Sequence, residues 1–247
     1  MTDPLRVGLR WLGHVTGPAR DLDVWVRDWD ALVRDVPDDR RPSMPPLHRH
    51  IVERQIEAHR ELDQQLTSPE LPRAMNRWTE IAEHQDRGQT RALALADSPI
   101  SEVGPRRVRK SLRRVLRDGG SIVDDSPAAA LHDLRKRAKR LRYQVECFRS
   151  VLDPASVSQL IRGLKPLQNV LGRFQDCEAQ SATLTGFAHE LGEASPAAID
   201  TLLAIGALTA RLDARQAIAR GRFAERFASF ERTADAHPIG PPAARVP

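Results

Sequence analysis

The chain has 247 residues, long enough to bury a sizeable core, so wholesale disorder is excluded as the default. Aromatic residues make up only 4%, Ala and the aliphatics dominate the apolar share, and β-branched runs are scarce, which argues against a sheet protein and for an all-α fold. A net charge of +5 points toward an acidic partner, whether nucleic acid, anionic lipid or a phosphate polymer. Nearly all of the positive charge is Arg, with Lys only at Lys110, Lys136, Lys139 and Lys165, so the placement of the cations is more informative than their number.

In chain order, the opening MTDPLRVGLR carries no signal-peptide core and no apolar run reaches the length of a membrane span, so a cytoplasmic location is expected. Breaks fall at Pro37 to Pro46, Ser68-Pro69, Asp97 to Pro105, Gly119 to Pro127, Asp153-Pro154 and Ser195-Pro196. Between them apolar residues recur at helical spacing, which predicts helices near 4–17, 20–36, 46–67, 69–96, 105–118, 127–152, 155–171, 174–192 and 196–232. Ser68-Pro69, Ser126-Pro127 and Asp153-Pro154 each read as an N-cap followed by Pro at the first helical position, where its missing N–H does no harm. Cys147 and Cys177 are too few for a disulfide framework or a zinc site.

Two stretches resemble each other. Leu9-Arg10-Trp11-Leu12 through Gly17-Pro18-Ala19-Arg20-Asp21-Leu22-Asp23 aligns with Leu164-Lys165-Pro166-Leu167 through Gly172-Arg173-Phe174-Gln175-Asp176-Cys177-Glu178. Each copy reads as a helix ending at Gly, a short corner, and a second helix with carboxylates in its first turn. Two pseudo-symmetric antiparallel helical bundles are therefore expected: residues 1–96 as a first repeat, 97–126 as a connecting helix with linkers, 127–236 as a second repeat and 237–247 as a flexible Pro-rich tail. A shared helix corner without functional content explains the Gly and acidic positions equally well. Asp21 and Asp23, or Asp176 and Glu178, diverge by about 200° on a helix, so no metal site is expected.

The densest positive charge is LHDLRKRAKRLRYQVECFR, residues 131–149. Leu131, Leu134, Ala138, Leu141, Val145 and Phe148 step by three or four and form an apolar stripe suited to a core. His132, Arg135, Lys136, Lys139 and Arg142 share an arc of about 120° at 100° per residue. Like charges so spaced repel by a few tenths of a kcal/mol per pair, a local cost that an anion would relieve. A solvated surface is the ordinary explanation of such a stripe.

His132-Asp133-Leu134-Arg135-Lys136-Arg137-Ala138-Lys139-Arg140-Leu141-Arg142-Tyr143, followed by Leu167-Gln168, Leu171-Gly172 and Asp176, resembles the CHAD family, the conserved histidine α-helical domain. The earlier Gly17-Pro18-Ala19-Arg20-Asp21-Leu22-Asp23-Val24 is similar to the corresponding corner of the family's first repeat. The resemblance spans almost the whole chain and implies non-catalytic binding of inorganic polyphosphate, without a cofactor, by basic helices. It implies roles for His132, Arg135, Lys136, Lys139 and Arg142 as the basic helix, and for Arg10 and Lys165 as equivalent cations of the two repeats. Arg106, Arg109, Lys110, Arg113 and Arg114 join the expected polyphosphate-binding set from charge pattern alone. Shifting the basic helix back by the repeat offset of about 155 residues places its first-repeat counterpart before Met1. The sequence thus reads as truncated or as starting late, with an incomplete first bundle prone to self-association.

Association with polyphosphate granules follows as an expectation, as do salt-sensitive affinity and a contribution from His132 protonation. Sequence-nonspecific nucleic-acid binding is the first alternative, since the same cations suit any phosphate backbone, although no aromatic platform or helix-turn-helix accompanies them. Catalysis finds no support in the motifs: the ExExK of the tunnel hydrolases that often adjoin this family, the P-loop, HExxH and GxSxG do not occur. A structural or partner-binding helical protein is the remaining alternative.

Overall fold

The apolar three-and-four spacing becomes helix throughout the residues that the computed structural model describes, 4–83, 98–194 and 199–240, and these contain no strand. The helices are α1 (Pro4–Arg27), α2 (Trp29–Arg34), α3 (Pro45–Leu66), α4 (Glu70–Glu83), α5 (Ile100–Gly120), α6 (Ala128–Cys147), α7 (Pro154–Ala194), α8 (Ile199–Gly221) and α9 (Phe223–Ala236). Residues 84–96 of the expected fourth helix, the break at Ser195-Pro196 and residues 241–247 of the tail lie outside the described residues. No helix among the described residues is long and apolar enough to cross a membrane.

The chain divides into two compact units, one made of Met1–Gly88 with Ala182–Arg211 and the other of Gln89–Ser181 with Leu212–Pro247. In the first, α3 buries Leu47, Ile51 and Ala58, α1 contributes Ala19, and Leu184, Phe187, Ala204, Ile205 and Leu208 complete the apolar interior. Trp25 meets Phe187 edge-on at 5.9 Å, a favoured ring geometry. The Asp23 carboxylate accepts hydrogen bonds from His59 at 2.8 Å and Gln55 at 2.7 Å. The His59 contact first, and then Gln55, holds its carboxyl below the usual range. Asp23 thus clamps α1 to α3.

In the second unit α6 buries Leu131, Leu134, Ala138, Leu141 and Val145, the apolar stripe read from the sequence, with Phe148 half-buried behind them. They meet Leu160, Leu164, Leu167, Leu171 and Phe174 of α7 and Phe223, Phe227 and Phe230 of α9 in one cluster. Each such side chain contributes about 1.5–3 kcal/mol on burial. Gly119 of α5 sits under the Phe227 ring, where a Cβ would come within 2.0 Å of Cε2. Asp153 caps α7, its Oδ2 accepting the Ser156 N–H at 2.7 Å, and that bond holds its carboxyl below the usual range.

Several expectations are corrected. No corner forms at Gly17 or Gly172: α1 runs through Gly17-Pro18, and α7 runs 41 residues through Pro166 and Gly172. An interior Gly costs about 1 kcal/mol and an interior Pro about 3. Around Gly172 that cost is outweighed by unbroken burial of Leu164, Leu167, Val170, Leu171, Phe174 and Cys177. The expected helix 20–36 is instead the end of α1 followed by α2, and 196–232 is split into α8 and α9 at Arg222. Ser126 does not cap α6, whose N-cap is Pro127; its hydroxyl accepts the Val123 N–H at 3.0 Å instead. The tail does not begin at His237, because Ile239 is buried and Gly240 accepts the Asp153 N–H at 3.2 Å.

Candidate functional site

The basic stripe of α6 sits against α7 through three polar contacts. Gln168 Nε2 donates to the Ala138 carbonyl at 3.1 Å, His132 Nδ1 bonds the Gln175 carboxamide oxygen, and Arg135 approaches Asp176 at 3.6 Å. With that oxygen as acceptor, Nδ1 of His132 is the donor. Leu167, Gln168, Leu171 and Asp176 therefore serve to seat α7 on α6.

The repulsion expected along the stripe is mostly relieved from within. Lys136 pairs with Asp133 at 2.7 Å, which lowers the Asp133 carboxyl, and Arg142 pairs with Glu146 at 2.8 Å. Arg135 has Asp176. Among the described residues Lys139 alone of the four Lys and Arg in the stripe has no carboxylate within ion-pair distance.

A stronger concentration of charge lies one helix away. A cleft of about 960 Å³ is lined from α7 by Arg162, Lys165 and Arg173 and from α8, α9 and their junction by Arg215, Arg222 and Arg226. Six cationic side chains thus face a single lining carboxylate, Asp176. Arg226 lies 3.7 Å from Glu225, whereas Arg162, Lys165, Arg173 and Arg222 have no acidic partner among the described residues. Val170, Ala219 and Cys177 form apolar wall between them. Burial pushes the Cys177 thiol up, so it remains a neutral wall group and not a nucleophile. Because Asp176 both lines the cleft and pairs with Arg135, the α6 stripe and the cleft adjoin at that residue.

Of the cations singled out in the sequence, Lys165 lines the cleft and Arg135 reaches its edge, while Lys136 and Lys139 border a separate depression with Arg107 and Arg140. The α5 set does not line the cleft: Arg106 pairs with Glu102 at 3.7 Å, Arg109 donates to the Ile239 carbonyl at 3.2 Å, and Lys110, Arg113 and Arg114 are exposed. Arg10 is exposed on α1, in the other unit.

Arg162, Arg173, Arg215, Arg222 and Arg226 escaped the sequence reading, which weighed linear charge density. A signal was present. Positions 162, 165, 169, 173 and 176 step by three or four and share one face of α7, and 215, 222 and 226 step by seven and four. Among the described residues no group of three His, Cys, Asp or Glu is arranged to hold a metal ion.

Residues 1–185 match the family model of the CHAD domain. The fold is similar to the crystal structure of the CHAD domain from the plant Ricinus communis, with a TM-score of 0.72 and 22% identity over 94% of this chain and 73% of that one. No curated protein matches the sequence.

Proposed function

The chain belongs to the CHAD domain family, and from that premise we propose that it binds inorganic polyphosphate, without turning it over, in the basic cleft beside α6. The observation that carries this reading is the cleft lined by six cations and one carboxylate. Arg offers planar paired donors and Lys a mobile point charge, and both make charge-assisted bonds to phosphate oxygens. A flexible chain of phosphates can meet cations on both walls in turn, displacing counterions at each contact. Turnover of a phosphoanhydride through Mg²⁺ calls for several carboxylates at the scissile bond, and Asp176 is the single one lining the cleft.

The test is a titration of long-chain polyphosphate into the wild type and the Arg173→Ala/Arg222→Ala variant, with circular dichroism confirming the fold. Binding that is tight in the wild type and weak in the folded variant is the expected result. Equal binding by both would move the site elsewhere. Displacement of polyphosphate by duplex DNA at equal phosphate concentration would transfer the assignment to nucleic acid, and orthophosphate release above the protein-free rate would make the protein an enzyme.

A further inference from the structure

Between α5 and α6 lies a second depression, of about 500 Å³, that shares no lining residue with the cleft. That volume lies within the usual range for small-molecule sites. Four cations border it, Arg107 from α5 and Lys136, Lys139 and Arg140 from α6. Lys136 has Asp133 at 2.7 Å, but Arg107, Lys139 and Arg140 have no acidic partner among the described residues. The rest of the lining has a different character. It includes Phe148 and the chain's only tyrosine, Tyr143, which is 61% exposed although large and mostly apolar.

Gln144 adds a third element. Gln144 lines the depression, and its side-chain oxygen is buried without a hydrogen-bond partner among the described residues. A buried acceptor left unpaired costs free energy, so turning toward a donor on a ligand gains a bond at that oxygen and breaks none. A carboxamide accepts from the exocyclic amine of adenine and donates to its N7, a two-point match.

A bare phosphate polymer would neutralise the cations and leave the aromatic surface unused; an uncharged aromatic would do the reverse. We propose that this depression binds an adenine nucleoside polyphosphate, with the base stacked on Tyr143 and read by Gln144, and the phosphates held by Arg107, Lys139 and Arg140. The ring face supplies base stacking and the cations supply charge-assisted bonds to phosphate. The site does not depend on polyphosphate occupying the cleft.

The experiment compares ATP with inorganic tripolyphosphate, followed by calorimetry and by the NMR signal of selectively labelled tyrosine, which arises from Tyr143 alone. ATP is expected to bind more tightly than tripolyphosphate by roughly 5- to 150-fold, the usual worth of one base stacked on an aromatic ring. The Tyr143 resonance should move with ATP and stay in place with tripolyphosphate. Tyr143→Ala should lose the preference for ATP over tripolyphosphate, and Tyr143→Phe should keep it. Equal affinity for the two ligands, a stationary Tyr143 signal, or an unaltered preference in Tyr143→Ala would each overturn the assignment. Binding of an adenine oligonucleotide without binding of ATP would overturn it in favour of single-stranded nucleic acid.

Discussion

Removing Arg173 and Arg222 tests whether the cleft holds a polyanion, because both line it and neither has an acidic partner among the described residues. The magnitude follows from counting charges. If all six lining cations meet phosphates, the logarithm of the binding constant falls with the logarithm of salt at about −0.7 per contact, or about −4 in all. Raising salt from 50 to 200 mM then weakens binding by roughly 300-fold in the wild type. With two contacts removed the slope becomes about −3 and the same change in salt weakens binding by roughly 50-fold. Fluorescence anisotropy of end-labelled polyphosphate at four or five salt concentrations gives both slopes, and circular dichroism guards against misfolding. A variant slope unchanged from a wild-type value near −4 would refute the reasoning, since the contacts would then be elsewhere. A wild-type slope near zero would refute it more broadly, because ionic neutralisation would not be the source of affinity.

Asp176→Asn should strengthen polyphosphate binding by about 2- to 5-fold, since it removes the cleft's single lining carboxylate and releases Arg135 from an ion pair of modest worth; weaker binding in an affinity titration would make Asp176 a positioning group. Gly119→Ala should destabilise the second unit by about 1–3 kcal/mol in urea denaturation, because the new Cβ would collide with the Phe227 ring. Asp153 has a folded-state pKa below its unfolded value, so its cap stabilises fully above about pH 4 and that contribution is lost as pH falls through the lower folded value. Asp153→Asn, which keeps an acceptor but cannot titrate, should flatten the acid limb of a thermal-melt series, and an unchanged limb would contradict the linkage.

The helices were legible wherever burial repeats without interruption. The stripe from Leu131 to Val145 could be read directly because its buried residues form one unbroken apolar face of α6 and the charged residues keep to the others. Local punctuation misled at the places where packing overrides it. Gly17-Pro18 and Gly172 look like stops, yet the helices continue; around Gly172 several buried side chains outweigh one unfavourable backbone position. Ile239 misled in the opposite sense: one apolar residue among prolines and small residues has no period, and its burial depends on Arg109 and Asp153 holding the backbone around it.

The site was legible in its chemistry and only partly in its place. Linear density singles out α6, where a family resemblance is also strongest, but ion pairs within that helix and with Asp176 already satisfy much of its charge. The cleft draws its cations from three segments that are sparse in sequence and converge through packing, so linear charge density could not rank them and only their helical spacing hinted at a shared face. Charge in excess of its own local partners is a better guide to anion binding than charge as such. By that measure Arg162, Lys165, Arg173 and Arg222 stand ahead of Lys136 and Arg142, whose carboxylate neighbours at 2.7 and 2.8 Å must be given up or shared before a phosphate gains anything.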